Sequence, residues 1–68
     1  MSLHKYVVDL SKLNPDEKSN LMDEIEPISF NGLFYNPSTQ IGEFFVYENF
    51  DVSLLNIPDS CNLTRVYQ

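Results

Sequence analysis

Five carboxylates, Asp16, Glu17, Asp23, Glu24 and Glu26, fall within residues 15–26 beside a single cation, Lys18. Carboxylates this dense support three kinds of chemistry. A pair one turn apart, such as Asp23 and Glu26, can hold a divalent cation loosely. A pair facing a pocket, such as Glu43 and Glu48, can do general acid–base work. A whole face of them can dock on a basic surface. The first two are poorly supported. There is no Cys/His cluster, no D-x-[DN]-x-[DN]-G loop, and no segment that would build a pocket around Glu43 and Glu48. The reading is therefore no metal, no cofactor and no catalytic residue.

A nucleophilic site would need Cys61 beside His4, the only residues of their types. Cys61 lies in a turn-like stretch, His4 lies near the chain start, and no third residue orients them. Gly32 and Gly42 are the only glycines, too few for a phosphate-cradling loop. The sequence does not read as that of an enzyme. One thiol forms no internal disulfide, which points to a reducing, cytoplasmic setting. Apolar runs are short, far below the roughly 20 residues of a membrane span, and no secretory signal is visible.

The positions of the acids follow from the element that carries them. Asn14 is a good N-cap, Pro15 suits the first helical position, and Glu17 completes a capping box with Asn replacing Ser or Thr. Pro27 closes the segment. With about 100° per residue, Leu21, Met22 and Ile25 form one apolar stripe. The five acids spread over roughly 140° to 320° on the same wheel, and Lys18 sits beside the stripe. Five acids and one base leave this segment at -4, out of a chain total of -6. An ordinary solvated helix face mixes Lys with Glu and gains from i,i+4 pairs. This face is unbalanced, so it reads either as a solvated surface or as an acidic docking face.

The remaining elements come from alternation. Residues 5–10 alternate as a strand, with Tyr6, Val8 and Leu10 on one side. Residues 28–35 read as a second strand, with Ile28, Phe30 and Phe34 on one side and Gly32 as a candidate bulge. Asn36 to Gln40 is a turn. Residues 41–47 form a third strand, with Ile41, Glu43, Phe45 and Tyr47 opposed to Phe44 and Val46. Asp51 caps a short candidate helix over 52–57, stopped by Pro58, and 63–67 make a last strand. A β-α-β-β-α-β order predicts an α+β, ferredoxin-like sandwich with helices on one face of an antiparallel sheet. At 68 residues, 43% hydrophobic and 21% charged, the chain is one domain spanning 1–68.

Residues 41–48, Ile-Gly-Glu-Phe-Phe-Val-Tyr-Glu, resemble the aromatic strand of RNA recognition motifs, and Tyr6 to Leu10 resembles that family's other strand. The resemblance implies ring stacking on RNA bases. Only Gly42, Phe45 and Val46 fit the eight-position pattern, and Ile41, Glu43 and Glu48 replace a basic residue and two rings. A charge of -6 opposes phosphate binding, so no direct nucleic-acid contact is expected.

These readings converge on a non-enzymatic protein-binding module. Asp16, Glu17, Asp23, Glu24 and Glu26, with the sheet aromatics Tyr35 and Tyr47, would occupy a basic surface of a protein partner. Abundant Asn, Phe, Tyr and Ile with no Ala indicate an AT-rich genome, as in many bacteriophages. One version is thus a phage-encoded inhibitor of a host nucleic-acid-handling protein, acting in the host cytoplasm. The alternative is a structural module in which an exposed strand edge or aromatic sheet face pairs two copies as a homodimer.

Overall fold

Asn14 starts the helix as its side chain allows. In the computed structural model, which describes residues 2–67, the Asn14 carboxamide accepts from the Glu17 backbone N–H at 2.8 Å. The Glu17 carboxylate accepts from the Asn14 N–H at 3.0 Å, completing the capping box. Helix α1 runs Pro15–Ile25 and tightens into a 3-10 turn over Glu26–Ile28. Pro27 lies inside that turn, where its missing N–H costs no helical hydrogen bond. Leu21 and Ile25 are buried, and Met22 packs beside them.

Four strands accompany α1: β1 (Leu3–Asp9), β2 (Phe30–Asn36), β3 (Ile41–Tyr47) and β4 (Thr64–Val66). They form one antiparallel sheet in the order β2-β3-β1-β4. β1-α1-β2 is a split β-α-β unit with β3 inserted between its strands. The fold is therefore α+β with the order β-α-β-β-β. The expected ferredoxin-like β-α-β-β-α-β pattern is not met, because no second helix forms.

That second crossover holds only two single 3-10 turns, Val52–Leu54 and Asp59–Cys61. Asp51 does cap, accepting from the Ser53 N–H at 3.0 Å. Six residues before Pro58 cannot repay the cost of helix nucleation. Pro58 also pushes its predecessor toward extended backbone. The stretch instead runs irregularly, so that Val52, Leu55 and Ile57 all reach the core, which a six-residue helix stripe would not permit.

The sheet has two unlike faces. Tyr6, Val8, Phe44 and Val46 point toward α1, with the Tyr6 and Phe44 rings stacked at 5.8 Å between centroids. Val8, Leu10, Leu13, Leu21, Ile25, Phe44, Val46 and Cys61 form the buried core. Leu33, Tyr35, Phe50 and Leu63 pack around it. Alternation puts Leu3, Lys5, Val7, Asp9, Ile41, Glu43, Phe45, Tyr47, Thr64 and Val66 on the other face, joined by Phe30 and Phe34. No residue of this second set belongs to the core. Ile28, expected on the strand side of Phe30 and Phe34, lies instead in the 3-10 turn and packs against the core.

β2 reaches this arrangement through a bulge. Between Phe30 and Phe34 the register slips against β3, and Asn31 (φ 62°) and Gly32 (φ 81°) both turn left-handed. The slip is of two residues, which preserves parity, so Phe34 stays on the same face as Phe30. Gly32 is required there on two counts: its φ disfavours any L side chain, and an added Cβ would lie 2.6 Å from a Glu26 carboxylate oxygen.

Candidate functional site

The helix presents Asp16, Glu17 and Asp23 to solvent, whereas Glu26, in the 3-10 turn that follows, reaches the β2 bulge. Asp16, Glu17, Asp23 and Glu26 are exposed and Glu24 is half-buried. The sole ion pair among the described residues joins Lys5 Nζ to Glu43 at 2.7 Å, on the far side of the sheet. Two of the other cations are also engaged elsewhere. Lys18 donates to the Gln40 side chain, tying α1 to the β2–β3 turn. Arg65 lies 4.3 Å from the centre of the Tyr67 ring. Among the described residues, no Lys or Arg neutralises a helix carboxylate.

The five acids are not equivalent. Three serve backbone amides: Glu17 in the capping box, Glu24 on the Asn56 N–H at 2.9 Å, and Glu26 on the Leu33 N–H at 3.1 Å. Glu24 thus fastens the irregular crossover to α1, and Glu26 fastens the β2 bulge. Asp16 and Asp23 make no such bond among the described residues. Asp16 still complements the helix dipole from the first turn, so Asp23 is the acid whose position serves no visible structural need.

The two tyrosines do not join this surface together. Tyr35 is half-buried and packs against the core on the α1 side of the sheet. Tyr47 lies on the opposite, open face, 44% exposed, edge-on to Phe30 with ring centroids 6.1 Å apart. No single flat partner can touch both the α1 acids and Tyr47. The open face also holds Phe30 and Phe34, 40% and 59% exposed, and Leu3, which the choice of site residues passed over. The alternation of β2 and β3 carried that signal.

The reactive groups stay apart from one another. Cys61 is fully buried in the last 3-10 turn, and burial pushes its thiol above the ordinary value. His4 sits on β1 opposite Val46. Hydrogen bonds from the Ser11 hydroxyl and backbone hold Asp9 below its ordinary value, and Ser53 does the same to Asp51. Both aspartates close local turns. Among the described residues no three His, Cys, Asp or Glu side chains are grouped to hold a metal ion. No helix is long and apolar enough to cross a membrane. A shallow depression of about 490 Å³ beneath Val52, Leu55, Ile57 and Leu63 has Asp59 as its one ionisable wall. Compared with protein-family models, curated proteins and solved structures, the chain matches none.

Proposed function

We propose that the protein is a non-enzymatic binding module whose α1 face occupies a basic surface of a protein partner. One observation carries the reading: five carboxylates along α1 and the 3-10 turn that continues it, with no cation among the described residues in an ion pair with them. Asp16 to Glu26 spans about 15 Å of helix axis. One DNA strand carries about four phosphates over a similar length. The charge density of α1 is thus close to that of a nucleic-acid strand, and the reading extends to a protein that handles nucleic acid as the target. The mechanism is electrostatic steering to the basic surface followed by steric blockage, with association slowing as salt rises.

The test uses Asp16→Lys/Asp23→Lys, which spares the three acids bonded to backbone. Tagged wild-type and variant proteins are passed through a bacterial lysate at low and high salt, and retained proteins are identified by mass spectrometry. The reading requires a discrete basic protein held by the wild type at low salt and lost with the variant. Identical retention by the two proteins would refute it.

A further inference from the structure

We infer that the open face of the sheet is covered by a second copy of this chain, packed sheet on sheet about a two-fold axis. This inference does not rest on the acidic helix.

The face is too apolar to be an ordinary surface. Taking about 150–250 Å² for a whole aromatic side chain, the exposed fractions of Phe30, Phe34 and Tyr47 leave roughly 300 Å² of ring in solvent. Leu3, Ile41, Phe45, Val7 and Val66 extend the same patch. Rings alone reach the lower end of the largest patch on a typical monomer, about 300–600 Å². Everything that is not sheet, α1 and residues 50–63 together, packs on the other side. No segment among the described residues is left to cover this one.

Charge selects the occupant. The ionised groups near the centre of the face are Lys5 and Glu43, which already neutralise each other. At the centre a basic partner finds no free carboxylate and an acidic one no free cation; Asp9, at the Ile41 end of the face, is engaged by the Ser11 N–H. A second copy fits both. A two-fold axis near the Lys5–Glu43 pair sets the two pairs head to tail, cation toward anion. It also places the two acidic helices on the outermost layers. Sheets pack about 10 Å apart, and each helix adds a further layer, so the helices stand well beyond the screening length of about 8 Å at physiological salt. The net charge of -6 per copy therefore opposes pairing only weakly.

Edge-to-edge pairing is the poorer route to a dimer. β4 is three residues long, and β2 is broken by its bulge, both of which blunt an edge. Area then sets the strength. Three strands about 23 Å long and a fourth, β4, of about 10 Å, spaced about 4.8 Å apart, give a flat footprint of roughly 380 Å² per copy, and relief from side chains brings the buried total to on the order of 1,000 Å². That lies at the lower limit for a specific interface and predicts a weak, reversible dimer.

Sedimentation velocity of the full chain from about 5 to about 500 µM, at physiological and at about 1 M NaCl, decides the matter. The expected result is a concentration-dependent dimer that salt does not dissociate. Phe34→Glu should weaken it at least about 100-fold, because it buries two uncompensated carboxylates, one from each copy, or leaves the rings apart. Phe34→Ser, which adds no charge, should weaken it by a smaller factor and guards against loss of fold, checked by circular dichroism. Leu54→Glu, in the other layer at a 72% exposed position, and Asp16→Lys/Asp23→Lys should leave the dimer intact. A wild type that stays monomeric at the highest concentration overturns the inference. So does a dimer that salt dissociates, or one indifferent to both Phe34 changes.

Discussion

Glu24 and Glu26 contribute to stability, and Asp23 beside them does not; this difference can be measured. Glu24→Ala removes the acceptor of the Asn56 N–H, and Glu26→Ala removes that of the Leu33 N–H. A hydrogen bond to a charged acceptor is worth about 1.5–3 kcal/mol. Both bonds are solvent-exposed, which brings each to about 1 kcal/mol after screening. The freed amides regain water, so no full desolvation penalty is added. A domain of this length has about 3–10 kcal/mol of total stability, and the two together would remove a substantial share. Asp23→Lys should act in the opposite direction. It relieves repulsion from Glu24 and places a cation three residues before Glu26, a gain of about 0.2–0.5 kcal/mol.

Urea unfolding followed by circular dichroism gives each value from the shift in midpoint at constant m. Glu24→Gln and Glu26→Gln serve as controls, because an amide oxygen still accepts; they should cost less than the alanine variants. Equal stability of wild type, Glu24→Ala and Glu26→Ala would refute the assignment of these carboxylates as fasteners. So would an Asp23→Lys variant destabilised by more than about 1 kcal/mol. The outcome bears on function directly. Reversing all the helix acids at once would mix lost charge with lost structure, and only Asp16 and Asp23 allow the two to be separated.

Gly32→Ala should cost about 1–3 kcal/mol through its left-handed φ and the collision with Glu26; the cost should shrink in a Glu26→Ala background, read by a double-mutant cycle. Cys61 should resist a thiol reagent near neutral pH in the folded protein and react readily in about 6 M guanidinium. Labelling of the native protein at the unfolded rate would show that the 59–61 turn is not packed. Asp9 and Asp51 are lowered below 3.8 in the fold by Ser11 and Ser53. Their contribution is therefore present above that value and lost as pH falls through the lowered one. Wild type should exceed Asp9→Asn/Asp51→Asn in melting temperature near neutral pH, and the two should converge in strong acid.

Legibility in the sequence followed the range of the interaction involved. The α1 start was readable because Asn14, Pro15 and Glu17 settle it among themselves, within four residues. β3 was readable for the same reason, since its alternation is unbroken from Ile41 to Tyr47. The region 52–57 was not. Its cap was visible at Asp51, but its conformation depends on Glu24, 32 residues earlier, accepting from Asn56. The bulge in β2 was signalled by Gly32, whereas its extent depends on Glu26 reaching Leu33. The helix acids were legible as charge and illegible as fasteners, because composition counts carboxylates without showing which amides they meet. Tyr35 and Tyr47 looked alike in sequence and lie on opposite faces, since each belongs to a different strand with a different parity toward the core.

That separation of faces allows the two proposed surfaces to work together. The α1 acids and the open aromatic sheet face lie on opposite sides of one two-layer domain, so occupation of one leaves the other free. A dimer built through the sheets would carry an acidic helix on each outer surface, pointing in opposite directions. Such a pair cannot set both helices on one flat basic surface. It can bridge two basic partners or two sites on opposite walls of a cleft, and tethering then raises the effective concentration of the second contact. Binding to a basic target should therefore tighten with protein concentration in the wild type. With Phe34→Glu, which keeps the helix charge and opposes pairing, it should follow a simple one-site curve. If the wild type gave that same one-site curve over the range in which it dimerises, the two surfaces would be acting independently of each other.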